Sequence, residues 1–227
     1  MEYNILIDYG LIFLGFIITL AAQAYINSSY NKYKKVKCKK NLSGLEVAQK
    51  ILKANNLDNI YVVETKGNLT DHYDPTKKVV RLSSDIYHSE TIAAISVAAH
   101  ECGHAIQDKE NYAFLKIRSK IVPFVNLCSK LGYLAIIIGI IFSLIDLAIV
   151  GVVLLLSMLL FQLITLPVEF DASRRALHEL EKLELVDTNE KTKCSNMLTA
   201  AALTYVASLV TTLLQILRYV LMFRDRD

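Results

Sequence analysis

Three long apolar runs constrain this chain more than any other feature of its sequence. Residues 9–26 and 195–217 carry no charge, and residues 131–168 carry only Asp146. A helix needs about 20 apolar residues, and at least about 17, to cross a bilayer, so the first run fits one crossing. The second is too long for one helix and reads as two, turning near Ser143 to Asp146. The third is richer in Ala and Thr. It reads either as a further crossing or as a buried or surface-lying helix. The apolar share of 53% and mean hydropathy of +0.36 are high for a soluble domain, and these runs hold the excess. Ala22-Gln23-Ala24 looks like a signal-peptidase site. A secretory signal, however, begins with a basic region. Here Glu2 and Asp8 precede the run and the basic residues follow it, so it reads as a retained anchor.

Basic flanks stay on the cytoplasmic side of a membrane. Lys32, Lys34, Lys35, Lys37, Lys39 and Lys40 follow the first run. Lys116, Arg118, Lys120 and Lys130 precede the second, and Arg174 and Arg175 follow it. These signs agree on an outside N-terminus, a membrane hairpin, and residues 32–130 and 168–195 inside. A crossing by residues 195–217 would put Arg218, Arg224 and Arg226 outside, against the rule, so that topology stays open. The net charge is only +3 and no basic, aromatic-interleaved stripe appears, which excludes nucleic acid as a partner class. Cys38, Cys102, Cys128 and Cys194 are scattered without a CxxC pair, so no disulfide framework is expected.

Residues 41–120 read as a soluble α+β stretch. Ser43 and Glu46 bracket a capping box opening a helix through about Ala54, which Asn55-Asn56 ends. Residues 60–64 and 79–82 read as strands, the second as an edge able to pair with an extended peptide. Residues 68–78 read as turn, broken most sharply at Asp74-Pro75. A long apolar helix is expected from Ser89 to about Gln107.

That helix carries His100-Glu101-Cys102-Gly103-His104. Positions i and i+4 share a helix face, so two imidazoles there converge on one ion. Glu101 is placed to take a proton from a zinc-activated water, whose pKa the metal brings near neutrality. The alternative is a coincidence on a buried helix, but packing two histidines and a glutamate into so apolar a face without a partner is costly. A catalytic zinc takes a third protein ligand and keeps one position open. The HExxHxxGxxH pattern fails, because Gln107 sits at its glycine and Glu110 at its third histidine. Glu169, just after the second apolar run, is the best remaining candidate. A carboxylate near lipid needs a partner, which is either zinc or Arg174 or Arg175. A His-His-Glu set selects zinc only partly over other divalent ions.

Asp171 either orients a metal-bound histidine or pairs with Arg174 or Arg175. It lies about 200° from Glu169 around a helix, so the two do not share a face. In the dense turn containing Asp71, His72 and Asp74, these residues either line a cleft, orient a ligand histidine or bind substrate, with His72 also a candidate zinc ligand, or simply cap a β-turn. Tyr205 is an oxyanion donor or a packing aromatic.

Taken together, residues 69–75 (LTDHYDP), 97–107 (VAAHECGHAIQ), 166–176 (LPVEFDASRRA) and 203–207 (LTYVA) resemble the YugP-type membrane zinc metallopeptidases of bacteria. That resemblance implies a zinc-dependent peptidase embedded in the cell membrane, with no defined substrate. More distantly the site is similar to gluzincins such as HtpX and the CAAX prenyl endopeptidases. There a glutamate after the membrane hairpin is the third ligand and an aspartate usually follows four residues later, where this chain has Ser173.

The expected fold is therefore mainly α and integral to the membrane. Three or four transmembrane helices accompany a small gluzincin-like α+β core with a short sheet or hairpin. Residues 1–30 form an anchor and 31–130 the cytoplasmic catalytic part. Residues 131–167 form the membrane hairpin, 168–194 the helix bearing the third ligand, and 195–227 an apolar C-terminal helix. The expected activity is zinc-dependent endopeptidase action on peptides or proteins, membrane proteins among them, at the cytoplasmic membrane surface. The rival readings are a catalytically silent zinc-binding scaffold or a transporter. The charges at Glu90, Asp108, Lys109 and Glu110 argue against a transporter, since they keep the motif helix out of a bilayer.

Overall fold

A computed structural model describes residues 5–67 and 70–224. Glu2, Leu69 and Arg226 lie outside the described residues. The element order is α1 (Ile5–Tyr33), α2 (Gly44–Ala54), β1 (Tyr61–Thr65), β2 (His72–Asp74), β3 (Val79–Ser83), α3 (Ser84–His88), α4 (Ile92–Lys109), α5 (Ala113–Ile141), α6 (Ile145–Lys182) and α7 (Thr188–Arg224). The chain divides into two compact units, one of Met1–Gln23, Ile117–Leu166 and Leu203–Asp227, the other of Ala24–Lys116 and Pro167–Ala202.

The second unit is built around α4. Thr91 caps it, its hydroxyl accepting from the Ala94 amide at 3.3 Å. Helix α4 is buried on almost every side, which is why its sequence is apolar all round rather than striped. Val47, Ile51, Leu82, Ile86, Ile92, Ile95 and Leu180 are the large side chains that close the core. Each contributes about 1.5–3 kcal/mol by leaving water. The expected capping box is present, with Ser43 Oγ accepting from the Glu46 amide and Glu46 accepting from Ser43. Asn56 turns the chain away with φ of 51°.

The sheet has the order β1-β3-β2, with β1 parallel and β2 antiparallel to β3. Residues 79–82 therefore form the central strand, and the expectation of an edge there is wrong. Val79, Val80, Leu82 and Ser83 are buried, as a middle strand requires. The edges are β1 and β2, and β2 falls in the stretch expected to be all turn. Its His-Tyr-Asp sequence has no apolar alternation to reveal it. The break at Asp74-Pro75 does close the β2–β3 hairpin. Asp74 Oδ1 accepts from the Thr76 and Lys77 amides, both at 3.0 Å.

Among the described residues, four helices are long and apolar enough to cross a membrane: α1, α5, α6 and α7. In the first unit, α5 and α6 turn at Ser143, whose φ is 55°, and the Leu144 amide reaches the Gly139 carbonyl at 2.8 Å. A Cβ on Gly139 would fall 2.7 Å from Ala148, so the hairpin packs backbone to backbone through small residues. Phe16, Leu160 and Val153 on these helices are more than half exposed, as lipid-facing residues are. Along α7, Thr204, Ser208, Thr211, Gln215 and Arg218 recur at helical spacing and make one polar stripe. Thr211 meets Thr19 of α1 at 3.3 Å, beside a cavity of about 350 Å³. Arg218 forms an ion pair with the buried Asp8.

Candidate metal centre

The chemistry gathers where α4 meets the end of α6, within one unit. Helix α6 runs unbroken through Pro167, so Glu169 lies inside it rather than at the start of a separate helix. The two helices touch at Gly103, where a Cβ would stand 2.4 Å from the Ala172 carbonyl oxygen. Only glycine permits that approach, and it brings Glu169 over the two histidines.

His100 Nε2 lies 3.3 Å and His104 Nε2 3.7 Å from Glu169 Oε2. The two imidazole rings stand edge to face with centroids 4.8 Å apart. One ligand atom from each residue lies within 4.8 Å of the others. A tetrahedral zinc with bonds of about 2.0–2.1 Å holds its donors roughly 3.3–3.5 Å apart. The separations of 3.3 Å and 3.7 Å from Glu169 lie close to that spacing, all three donors fall within 4.8 Å of one another, and two imidazoles with one carboxylate are a donor set zinc accepts. The residues fit the metal. Glu169 is 3% exposed and His104 8%, so water does not screen the cluster.

Both histidines are oriented from behind. His100 Nδ1 meets Ser173 Oγ at 3.2 Å, and His104 Nδ1 meets Gln107 Oε1 at 3.0 Å. Each Nε2 therefore faces Glu169. Burial alone would lower the His104 pKa. The Glu169 carboxylate, with Glu101 and Gln107, outweighs it and raises the value.

Glu101 is buried beside His100, and its Oε2 accepts from the Tyr73 amide of β2 at 2.9 Å. The Tyr73 hydroxyl in turn donates to Asp108 at 2.7 Å, and Lys78 joins Asp108 at 2.6 Å. The edge strand is thus tied both to the carboxylate and to the end of α4.

The other candidate residues lie outside this cluster. Asp171 touches no histidine. It accepts from Gln107 Nε2 at 2.9 Å and pairs with Arg174 and with Arg175, which also reaches Glu110 at 2.6 Å. Asp71 accepts from the Ser83 amide at 2.7 Å and its hydroxyl at 3.0 Å, bracing the approach to β2 against β3. Burial pushes the Asp71 carboxyl up, against those two hydrogen bonds. His72 is exposed, with Nδ1 2.8 Å from the Thr70 carbonyl. Tyr205 is partly exposed on α7, in the other unit. All four cysteines are buried and free.

Sequence reasoning passed over Gln107, Ser173 and Tyr73. Spacing signalled two of them: Gln107 stands three residues after His104 and Ser173 four after Glu169, both on the ligand's own helix face. Tyr73 acts through its backbone amide, which no residue type announces.

The sequence pattern of the family described as "Putative neutral zinc metallopeptidase" matches residues 9–224. The chain is 43% identical over 202 residues to "Putative membrane protease YugP" of Bacillus subtilis (strain 168), covering 89% of this chain and 90% of that protein. No solved structure matches the chain.

Proposed function

The chain belongs to this neutral zinc metallopeptidase family, and from that premise we propose that it is a membrane-embedded zinc endopeptidase acting at the cytoplasmic membrane surface. The observation that carries the proposal is the convergence of His100, His104 and Glu169 within 4.8 Å, with Glu101 adjoining His100 on the same helix. His100 Nε2, His104 Nε2 and a Glu169 oxygen would hold the ion. When bound, zinc would polarise a scissile carbonyl and acidify a water. Glu101 would serve as the general base and acid, taking a proton from the attacking water and returning it to the leaving amine. The Tyr73 amide holds one Glu101 oxygen and leaves the other for that exchange.

The substrates are peptides or proteins, membrane-anchored ones among them, since Glu169 directly follows the apolar run of α6. The basic residues after α1, in the first part of α5 and in the last part of α6 favour a cytoplasmic site. Arg218 of α7 pairs with Asp8 of α1, so a crossing by α7 would not leave that arginine without a counter-charge.

The test is Glu101→Gln beside wild type in proteoliposomes. We expect hydrolysis to vanish while zinc content stays at wild-type level. Full activity in the variant would remove Glu101 as the base. Zinc binding with no hydrolysis by wild type across membrane-anchored and soluble peptides would favour a silent zinc protein.

A further inference from the structure

Gln107 is fully buried and uses every hydrogen-bonding group of its amide. A primary amide offers one acceptor oxygen and two N–H donors. Nε2 donates to the Val168 carbonyl at 2.8 Å and to Asp171 Oδ2 at 2.9 Å. Oε1 faces His104 Nδ1 at 3.0 Å. Turning the amide over would set its oxygen against a carbonyl and a carboxylate, two acceptors at once. The arrangement therefore has one sense.

With Oε1 as acceptor, Nδ1 of His104 must be the donor and carry the proton. The neutral ring then keeps its lone pair on Nε2, the nitrogen that faces Glu169. Which ring nitrogen bears hydrogen is set by the partner of the other. Asp171 keeps the amide from turning, because Arg174 and Arg175 hold it as a carboxylate and Glu110 holds Arg175. The second donor contact lands on Val168, the residue before Glu169. One side chain thus touches His104 on α4 and the backbone that presents Glu169 on α6.

We propose that Gln107 is a positioning residue for the metal site, selecting the Nδ1–H tautomer of His104 and setting the α6 ligand turn against α4. The proposal rests on the zinc-site reading above. A glutamine that merely filled space or satisfied the Val168 carbonyl would affect stability alone. A positioning glutamine affects how the metal is held.

The experiment compares zinc affinity, by chelator competition, and the visible absorption of the cobalt(II)-substituted protein. It uses detergent-purified full-length wild type, Gln107→Met, and the pair Gln107→Glu with Asp171→Asn. Methionine matches the volume and removes every contact. The paired variant keeps an acceptor for His104, and its introduced carboxyl, protonated because it is fully buried against the Val168 carbonyl, donates there as the amide did and accepts from the introduced Asn amide. Removing a group that orients a metal ligand weakens binding about 10–100-fold. We expect that loss and an altered cobalt spectrum in Gln107→Met, and in the paired variant a return to within about threefold of wild type. Wild-type affinity and spectrum in Gln107→Met would overturn the proposal. So would a folded paired variant that binds zinc as poorly as Gln107→Met. If Gln107→Met does not fold, the paired variant decides alone, near-wild-type binding supporting the proposal and weak binding overturning it. A wild type that takes up no zinc would remove the underlying reading and this proposal with it.

Discussion

Adding one methyl group at Gly103 should dismantle the site without touching any ligand. A Cβ there would lie 2.4 Å from the Ala172 carbonyl oxygen and 3.1 Å from its carbon, both backbone atoms of α6. Ordinary C–H···O contacts sit at about 3.3–3.6 Å, so the two helices must part by roughly 1 Å. Zinc sites tolerate about 0.2 Å in their bond lengths, so a shift several times larger withdraws Glu169, one turn from Ala172, out of bonding range. Alanine gains about 1 kcal/mol of helix propensity over glycine. Forcing a group into a packed interface costs about 1–3 kcal/mol, and a rigid backbone neighbour favours the upper end. Gly103→Ala should therefore lower folding stability by about 1–2 kcal/mol net and weaken zinc binding at least about 100-fold, or roughly 2.8 kcal/mol. Chelator competition and thermal unfolding of the detergent-purified protein read the two effects. Zinc affinity within about threefold of wild type would refute the claim that the close approach of α4 and α6 places Glu169.

Two further perturbations follow from single contacts. Ser43→Ala removes the capping box of α2 and should cost about 1 kcal/mol of stability, read as a lower denaturation midpoint with zinc affinity unchanged. His104 has a raised pKa without metal, so its pairing with Glu169 supports the apo fold at low pH and is lost as pH rises through that value. Proton and zinc compete for the same nitrogen, so the gain in melting temperature from zinc should grow with pH from about 6 to 8. A gain independent of pH would contradict that competition.

What the sequence made legible was what side-chain type and period encode. The membrane helices showed as runs with at most one charge, although α6 extends to Lys182 and α7 begins at Thr188, well outside those runs. Polar ends that continue a helix add no apolar signal. The motif helix, the Ser43 cap and the two flanking strands were readable for the same reason. Strand order was not, because β2 is three polar residues whose place depends on pairing with β3. At the site, the motif histidines and Glu169 could be nominated from residue type and from their place after an apolar run. Asp171 was the obvious acid near Glu169, yet the structure sets it behind Gln107 rather than on a histidine. Ser173 stands four residues after Glu169, and its hydroxyl meets His100. A hydroxyl can accept the same Nδ1 hydrogen, which reading for carboxylates overlooks.

The most direct test of the account is the metal content of freshly purified wild type beside His104→Ala and Glu169→Ala. The account predicts close to one zinc per chain in wild type, lost in both variants. Zinc retained by Glu169→Ala would contradict the three-ligand centre. A wild type that holds no zinc even after supplementation would contradict the metallopeptidase reading as a whole.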